Sequence, residues 1–146
     1  MTYSIPEFQG HYRFLSNFWP CEIRAWGLVF PSVEHAYVAA KTDDKWHQLQ
    51  ISKIQSAGEA KRYGRKLKLC ENWGLMKQDC MLDFLRQKFQ EKRLAKMLLS
   101  TGALELVEGN RWGDTYWGVC NGVGENHLGR LLMQVRDEIT LNADLF

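Results

Sequence analysis

The stretch from Asn72 to about Ser100 does most to constrain the fold, because its apolar side chains recur at helical spacing. Met76, Cys80 and Phe84 form one row and Met81, Leu85 and Phe89 a second, together wide enough for a core-facing helix side. The pattern predicts a helix broken near Gln90 to Lys92 and stopped by Thr101-Gly102. These methionines and aromatics read as core rather than as a ligand box. A second stripe of Leu128, Leu131, Leu132, Val135 and Ile139 predicts a helix from Asn126 to about Leu141. Strand-like segments are few, short and mostly local, and alternating β-α units are absent. The expected fold is therefore α+β, a helix-rich single domain over residues 1–146 with a few short strands.

Residues 10–30 read as short strands, with Cys21 to Trp26 and Leu28 to Phe30 flanking a tight Trp26-Gly27 connection as a small hairpin. A helix is expected from Ser32 to about Thr42, and Asp43 and Asp44 cap a second one carrying Trp46, Leu49 and Ile54. Ser56-Ala57-Gly58-Glu59 is a capping-box pattern that starts a helix through Tyr63 toward Leu67, and Leu104 to Val107 reads as a strand.

Within the first of these helices, Ser32 is a good N-cap, since its hydroxyl can accept from a free backbone N–H one turn on. A capping box needs Glu or Gln three residues later, where His35 stands. Glu34 comes one place early and is not spent on reciprocal capping. It shares a helix face with Tyr37, Val38 and Lys41. Two readings stand: a surface acid favoured by the helix dipole, or an acid held at a helix start for chemistry.

Composition removes several function classes. With 19 basic and 17 acidic residues the net charge is only +2, too balanced for a protein that lives by wrapping duplex nucleic acid. The N-terminus carries no secretory pattern and no apolar run approaches a membrane span, so no membrane partner is expected. The four cysteines lack C-x-x-C spacing and read as reduced thiols in a cytoplasm. The histidines at 11, 35, 47 and 127 form no paired ligand motif, so no metal and no cofactor are expected. Six tryptophans, five tyrosines and seven phenylalanines keep ligands that stack on rings in play.

Three further segments are open to two readings each. The irregular stretch Glu108 to Glu125 joins Asp114 to Arg111, Trp112, Tyr116 and Trp117 between glycines. It is either a functional loop or an aromatic-pinned one whose aspartate makes an Asx turn. Gly122-Val123-Gly124-Glu125-Asn126 leads into the last helix, either as a weak phosphate-binding turn or with Asn126 as a plain N-cap. Arg13-Phe14-Leu15-Ser16-Asn17-Phe18 is a sugar or phosphate clasp, or a turn between strands. Trp73 stacks on a base or simply packs. Lys61, Arg62, Arg65 and Lys66 form a charged helix side, the usual mark of a solvated face.

Taken in order, Phe14-Leu15-Ser16-Asn17-Phe18, Ser32-Val33-Glu34-His35-Ala36-Tyr37 with Ala40-Lys41, and Asn72-Trp73 resemble the NADAR (YbiA-like) family. So do Asp114-x-Tyr116-Trp117-Gly118 and Gly122-x-Gly124-x-Asn126-x-Leu128-Gly129-x-Leu131-Leu132-Met133, and the likeness runs from about residue 11 to residue 137. The resemblance implies a mostly helical α+β fold and N-glycosidase activity on ribose linked to a base nitrogen. The substrates it implies are phosphoribosylaminouracil intermediates of riboflavin synthesis, or ADP-ribosylated guanine as a nucleoside or in nucleic acid. It places the family's functional positions at Glu34, Trp73 and Asp114. Thr42 departs from the family, which often has an aromatic there, and the short approach to Arg13 is a second departure.

The chemistry agrees with that set. Breaking a ribosyl C–N bond builds positive charge on the sugar, as in glycoside hydrolysis. One carboxylate stabilises that charge while another group activates water or protonates the leaving base. Glu34 and Asp114 are the two candidate acids, and the division of labour depends on a separation that sequence does not contain. Trp73, Phe18, Tyr116 and Trp117 offer ring faces, and Ser16, Asn17 and Asn126 offer hydroxyl and amide groups to ribose or phosphate. Arg13, Lys41, Lys61 and Arg65 are the candidate phosphate partners. The competing reading is a non-catalytic module for ADP-ribose or NAD-derived nucleotides, for which two positioned acids are unnecessary.

Overall fold

A computed structural model describes residues 3–144. The chain divides into two compact units, one formed by Asn17–Lys88 and the other by the segments on either side of it.

In the Asn17–Lys88 unit, strands β2 (Pro20–Ala25) and β3 (Leu28–Ser32) pair antiparallel, with Ala25 opposite Leu28 and Ile23 opposite Phe30. Trp26 and Gly27 close the turn with φ of 51° and 74°, the double positive pair that matches strand twist. Trp26 accepts this unusual backbone while its ring meets Phe30 and Phe84 edge-on. The Gln87 amide accepts from the Arg24 N–H at 2.8 Å and donates to its carbonyl at 2.9 Å, occupying part of the β2 edge as a neighbouring strand would.

The strand β3 runs straight into helix α1 (Val33–Ala40), which packs against α2 (Lys45–Ser52), α3 (Ala57–Gly64) and α4 (Trp73–Lys88). A helix surrounded by neighbours must be apolar on all sides. Accordingly α1 is buried at Val33 and at every position from His35 to Ala40, and Glu34 alone keeps access to solvent. At Gly64 an added Cβ would stand 2.9 Å from Val38 Cγ1, so the α1–α3 approach requires glycine there. Ser56 caps α3 by accepting from the Glu59 N–H at 3.1 Å, and Asp44 caps α2 by accepting from the Trp46 N–H at 2.8 Å. The helices are shorter than expected: Ile54 lies beyond α2 and Leu67 beyond α3. Trp46 and Leu49 are exposed, and Ile51 is the buried anchor of α2 instead.

On α4, Met81, Phe84 and Leu85 are buried, whereas Met76 is exposed. Lys88 ends this helix at 1 % exposure, a burial its charge gave no reason to expect. Desolvation pushes its ammonium down to about 7, with Cys21 acting in the opposite sense. The unfolded chain keeps this proton up to the ordinary lysine range, so the folded form sheds it first and stability rises with pH between those values. From pH 7 to 8 the unfolding free energy is expected to rise by about 1 kcal/mol. In Lys88→Met most of that rise should vanish, as read from urea midpoints at the two pH values.

In the flanking unit, β1 (Ser4–Ile5) pairs parallel with β4 (Glu105–Leu106), and β5 (Gly109–Asn110) pairs parallel with β6 (Val119–Cys120). Helix α5 (Lys92–Leu99) is capped by Glu91, whose carboxylate accepts from the Arg93 and Leu94 N–H groups. That cap is what breaks the long helical pattern. Helix α6 (His127–Asp144) buries Leu128, Leu132 and Val135. Its buried Arg136 donates to Thr101 Oγ1 at 2.8 Å and to the Leu104 carbonyl at 2.9 Å, pinning the turn after α5.

One expectation fails here. Gly10–Leu15 is a six-residue 3₁₀ helix rather than a strand. Phe14 and Leu15 are consecutive and both buried, which a strand with one solvated face cannot achieve. Among the described residues no helix is long and apolar enough to cross a membrane, and the four cysteines are free thiols.

Candidate functional site

In the Asn17–Lys88 unit the start of α1 is locked by a buried pair. Ser32 Oγ accepts from the His35 N–H at 3.1 Å and lies 2.6 Å from His35 Nδ1, while Nε2 sits 2.9 Å from the Ile54 carbonyl. A carbonyl only accepts, so Nε2 carries the ring proton and Nδ1 receives the Ser32 hydroxyl hydrogen. Burial lowers the imidazole pKa, outweighing the Ile54 carbonyl, and favours this neutral tautomer. Glu34 stands between the two locked residues, and its own N–H donates to the Asn17 carbonyl at 3.0 Å. The carboxylate is thus carried on a backbone held from both sides.

Two turns further along the same face, Lys41 Nζ lies 5.3 Å from the centre of the Tyr37 ring. Burial lowers the Lys41 pKa, Glu34 opposes that shift, and Lys61, Lys77 and Arg65 add to it. Tyr37 in turn packs on Trp73, ring centres 5.2 Å apart and planes tilted by 57°. Trp73 is only 7 % exposed, so most of its surface is spent on packing. Lys61 Nζ stands 5.9 Å from the Phe18 ring centre. Asn17 Nδ2 reaches Met81 Sδ at 3.6 Å, and its Oδ1 is buried with no hydrogen-bond partner. A buried acceptor left in this way costs about 1–3 kcal/mol. Glu34, Lys41, Lys61, Arg65, Trp73, Asn17 and Phe18 therefore belong to one unit, with Tyr37 joining α1 to α4.

Thr42 follows directly and has a turn to hold. Its hydroxyl accepts from the Asp44 N–H at 3.0 Å, and its carbonyl accepts from Gln48 Nε2 at 2.8 Å. A cavity of about 590 Å³ opens beside it, lined in part by Asp43, Asp44, His47, Cys70 and Glu71. Three acids against the single Lys68 give it the wrong charge for a phosphorylated ligand, and neither Glu34 nor Trp73 lines it.

In the flanking unit Asp114 makes the Asx turn. Its Oδ1 accepts from the N–H groups of Tyr116 at 3.1 Å and Trp117 at 2.9 Å. Asn110 brackets the aspartate, accepting from its N–H at 3.0 Å and donating to its carbonyl at 2.8 Å. The Tyr116 ring meets Trp117 at 5.0 Å and His127 at 4.5 Å. A Cβ at Gly118 would collide with Glu108, which is why the loop needs glycine where it turns back.

This loop also settles what Gly122 to Asn126 can offer. The N–H groups of Glu125, Asn126, His127 and Leu128 donate to the carbonyls of Thr115, Gly118, Tyr116 and Trp117. The N-terminus of α6 is thus consumed by protein and leaves no cradle for phosphate. Asn126 is not a plain N-cap either. At φ 55° it donates to the Leu106 carbonyl and accepts from the Glu108 N–H, both at 2.9 Å, so both ends of its amide hold backbone. Arg13 lies exposed in the 3₁₀ helix with Nη1 3.3 Å from Gln9 Oε1, and Ser16 caps that helix through its N–H to the Arg13 carbonyl.

Three contributors escaped sequence reasoning. His35 occupies the position a capping-box acid would fill, Asn110 precedes Asp114 by one helical turn's worth of chain, and Lys77 follows Trp73 by four residues on α4. Among the described residues no group of three His, Cys, Asp or Glu side chains is disposed to hold a metal.

A family model described as the NADAR domain matches residues 6–140. A riboflavin biosynthesis protein of Vibrio vulnificus is 38% identical over 137 residues; the match covers 91% of this chain but 37% of that longer protein. The N-glycosidase YbiA of Shigella boydii is 37% identical over 134 residues, covering 89% of this chain and 83% of that one. An N-glycosidase of Nostoc punctiforme is 36% identical, covering 88% and 86%. The NMR structure of the Escherichia coli protein YbiA superimposes with a TM-score of 0.85 at 34% identity, covering 98% of this chain and 89% of that one.

Proposed function

We propose that this chain, which belongs to the NADAR domain family and is by that membership an N-glycosidase, hydrolyses the bond between ribose C1 and a base nitrogen. The proposed substrates are ADP-ribosylated guanine, free or in nucleic acid, and phosphoribosylaminouracil compounds. The observation that carries the reading is the exposure pattern of α1, in which Glu34 alone reaches solvent from an otherwise buried helix locked by Ser32 and His35. A surface acid needs no such fixed backbone, whereas an acid that must meet a developing charge does.

In the reaction the C1–N bond breaks, its electron pair goes to the base, and the ribose becomes cation-like. Water then adds its hydroxyl to C1, and its remaining proton ends on the base nitrogen. Glu34 and Asp114 are the two proposed catalytic carboxylates. Asn17, whose carbonyl holds the Glu34 N–H, is the proposed ribose-binding amide. Lys41, Lys61 and Arg65 serve the phosphate. The Tyr37–Trp73 pair holds the wall between α1 and α4.

Mass spectrometry in ¹⁸O-water tests this on four substrates: ADP-ribosylguanosine, ADP-ribosylated DNA, phosphoribosylaminouracil and NAD. Release of free base with one heavy oxygen on the ribose product is expected for at least one of the first three. Cleavage of NAD alone, or of none of the four, contradicts the proposed substrate class.

A further inference from the structure

Three helices of the Asn17–Lys88 unit repeat one device. Each places a cation one turn after a residue of the same packed group: Lys41 after Tyr37 at the C-cap of α1, Arg65 after Lys61 at the C-cap of α3, and Lys77 after Trp73 on α4. Side chains four apart share a helix face. Trp73 packs on Tyr37, and Lys41 lies over the Tyr37 ring, so the faces carrying Lys77 and Lys41 meet where α4 touches α1. On a solvated face, cations spread apart to reduce repulsion. Here Lys61, Lys77 and Arg65 all bear on the half-buried Lys41, and Glu34 acts on it in return. Such an excess of one sign around a partly desolvated group suits a ligand that brings the opposite charge.

We infer that Lys77 is a specificity-determining residue, which together with Lys41, Lys61 and Arg65 forms a single subsite for the phosphate oxyanions carried by the substrate's ribose. The inference rests on the proposed N-riboside reading but makes its own demand: the phosphorylated form must be preferred over the bare nucleoside, and Lys77 must be part of the reason. A phosphate monoester and a diphosphate share the chemistry, and the two are separated by the probes.

The test is calorimetric titration of the intact protein with inorganic diphosphate and, separately, with inorganic phosphate. Lys77→Gln is expected to weaken diphosphate binding about five- to tenfold, the usual weight of one partly screened charge. Lys77→Arg should stay within about twofold of the parent, and Lys53→Gln, an exposed cation of the same unit that does not bear on Lys41, should change nothing. Preference for diphosphate marks a diphosphate subsite; equal affinity marks a monoester subsite. In steady-state assays Lys77→Gln should raise KM for the phosphorylated N-riboside by a similar factor, with kcat held and the dephosphorylated nucleoside unaffected. Absence of binding of either anion, or binding indifferent to Lys77→Gln, overturns the inference. Lys77-dependent anion binding in a protein that cleaves no N-riboside would leave the subsite standing and remove only the proposed reaction.

Discussion

Glu34→Gln is expected to lower kcat by about 10²–10⁴-fold on whichever N-riboside the protein accepts, with substrate binding changed far less. The substitution keeps size and shape, so the buried α1 environment has no reason to rearrange. Ser32 and His35 hold the helix start through their own side chains, and the Glu34 N–H still donates to Asn17. What disappears is the negative charge at the one half-buried position of an otherwise buried helix. Loss of its favourable place in the first turn costs only about 0.3–1 kcal/mol, a small shift in thermal midpoint. A fall in kcat at near-constant stability is therefore diagnostic. Lys41 provides a second readout, because Glu34 is the charge that supports its protonated form; removing it should drive the Lys41 pKa further down. Unchanged turnover in Glu34→Gln would return Glu34 to the status of a dipole-favoured surface acid. Tight ADP-ribose binding by a parent protein that releases no base would instead identify a binding module.

The elements that sequence exposes are those whose cause is local. Trp26-Gly27 must turn, Ser32 and Ser56 must cap, and the stripe on α6 must face a core, whatever the rest of the chain does. The Asx turn at Asp114 is of the same kind, since an aspartate two and three residues before backbone N–H groups satisfies them itself. Non-local causes leave weaker traces. Strand β1 is two residues long and exists through pairing with β4, about a hundred residues away, so no local pattern announces it. Lys88 looks like a surface lysine in sequence and is buried by the tertiary packing of α4. His35 stands where a capping box would need an acid, yet it completes the cap with its ring, which requires the Ile54 carbonyl from another turn of chain. Lys77 is set apart from the other cations by the packing of Trp73, one turn before it, on Tyr37.

Asp114→Asn and Asp114→Ala are expected to part company, and their difference separates structure from chemistry at this position. The asparagine carbonyl can accept from the Tyr116 and Trp117 N–H groups as the carboxylate Oδ1 does, so the turn survives with a loss of about 1 kcal/mol in bond strength. Alanine removes both bonds at once and leaves two backbone donors in a half-buried loop, which loosens Tyr116 and its contact with His127. If Asp114 serves only the turn, Asn retains activity and Ala loses it. If the charge takes part in the reaction, Asn loses about 10²–10⁴-fold in kcat although its loop is intact, and Ala adds a stability defect to the same loss. The second pattern is expected. Asn110 already embraces the Asp114 backbone through its own amide, from the N–H on one side to the carbonyl on the other. An asparagine at 114 would still accept from the two remaining donors. The turn alone therefore does not require a carboxylate, and thermal midpoints measured beside kcat for both variants decide whether the charge is there for the ribose.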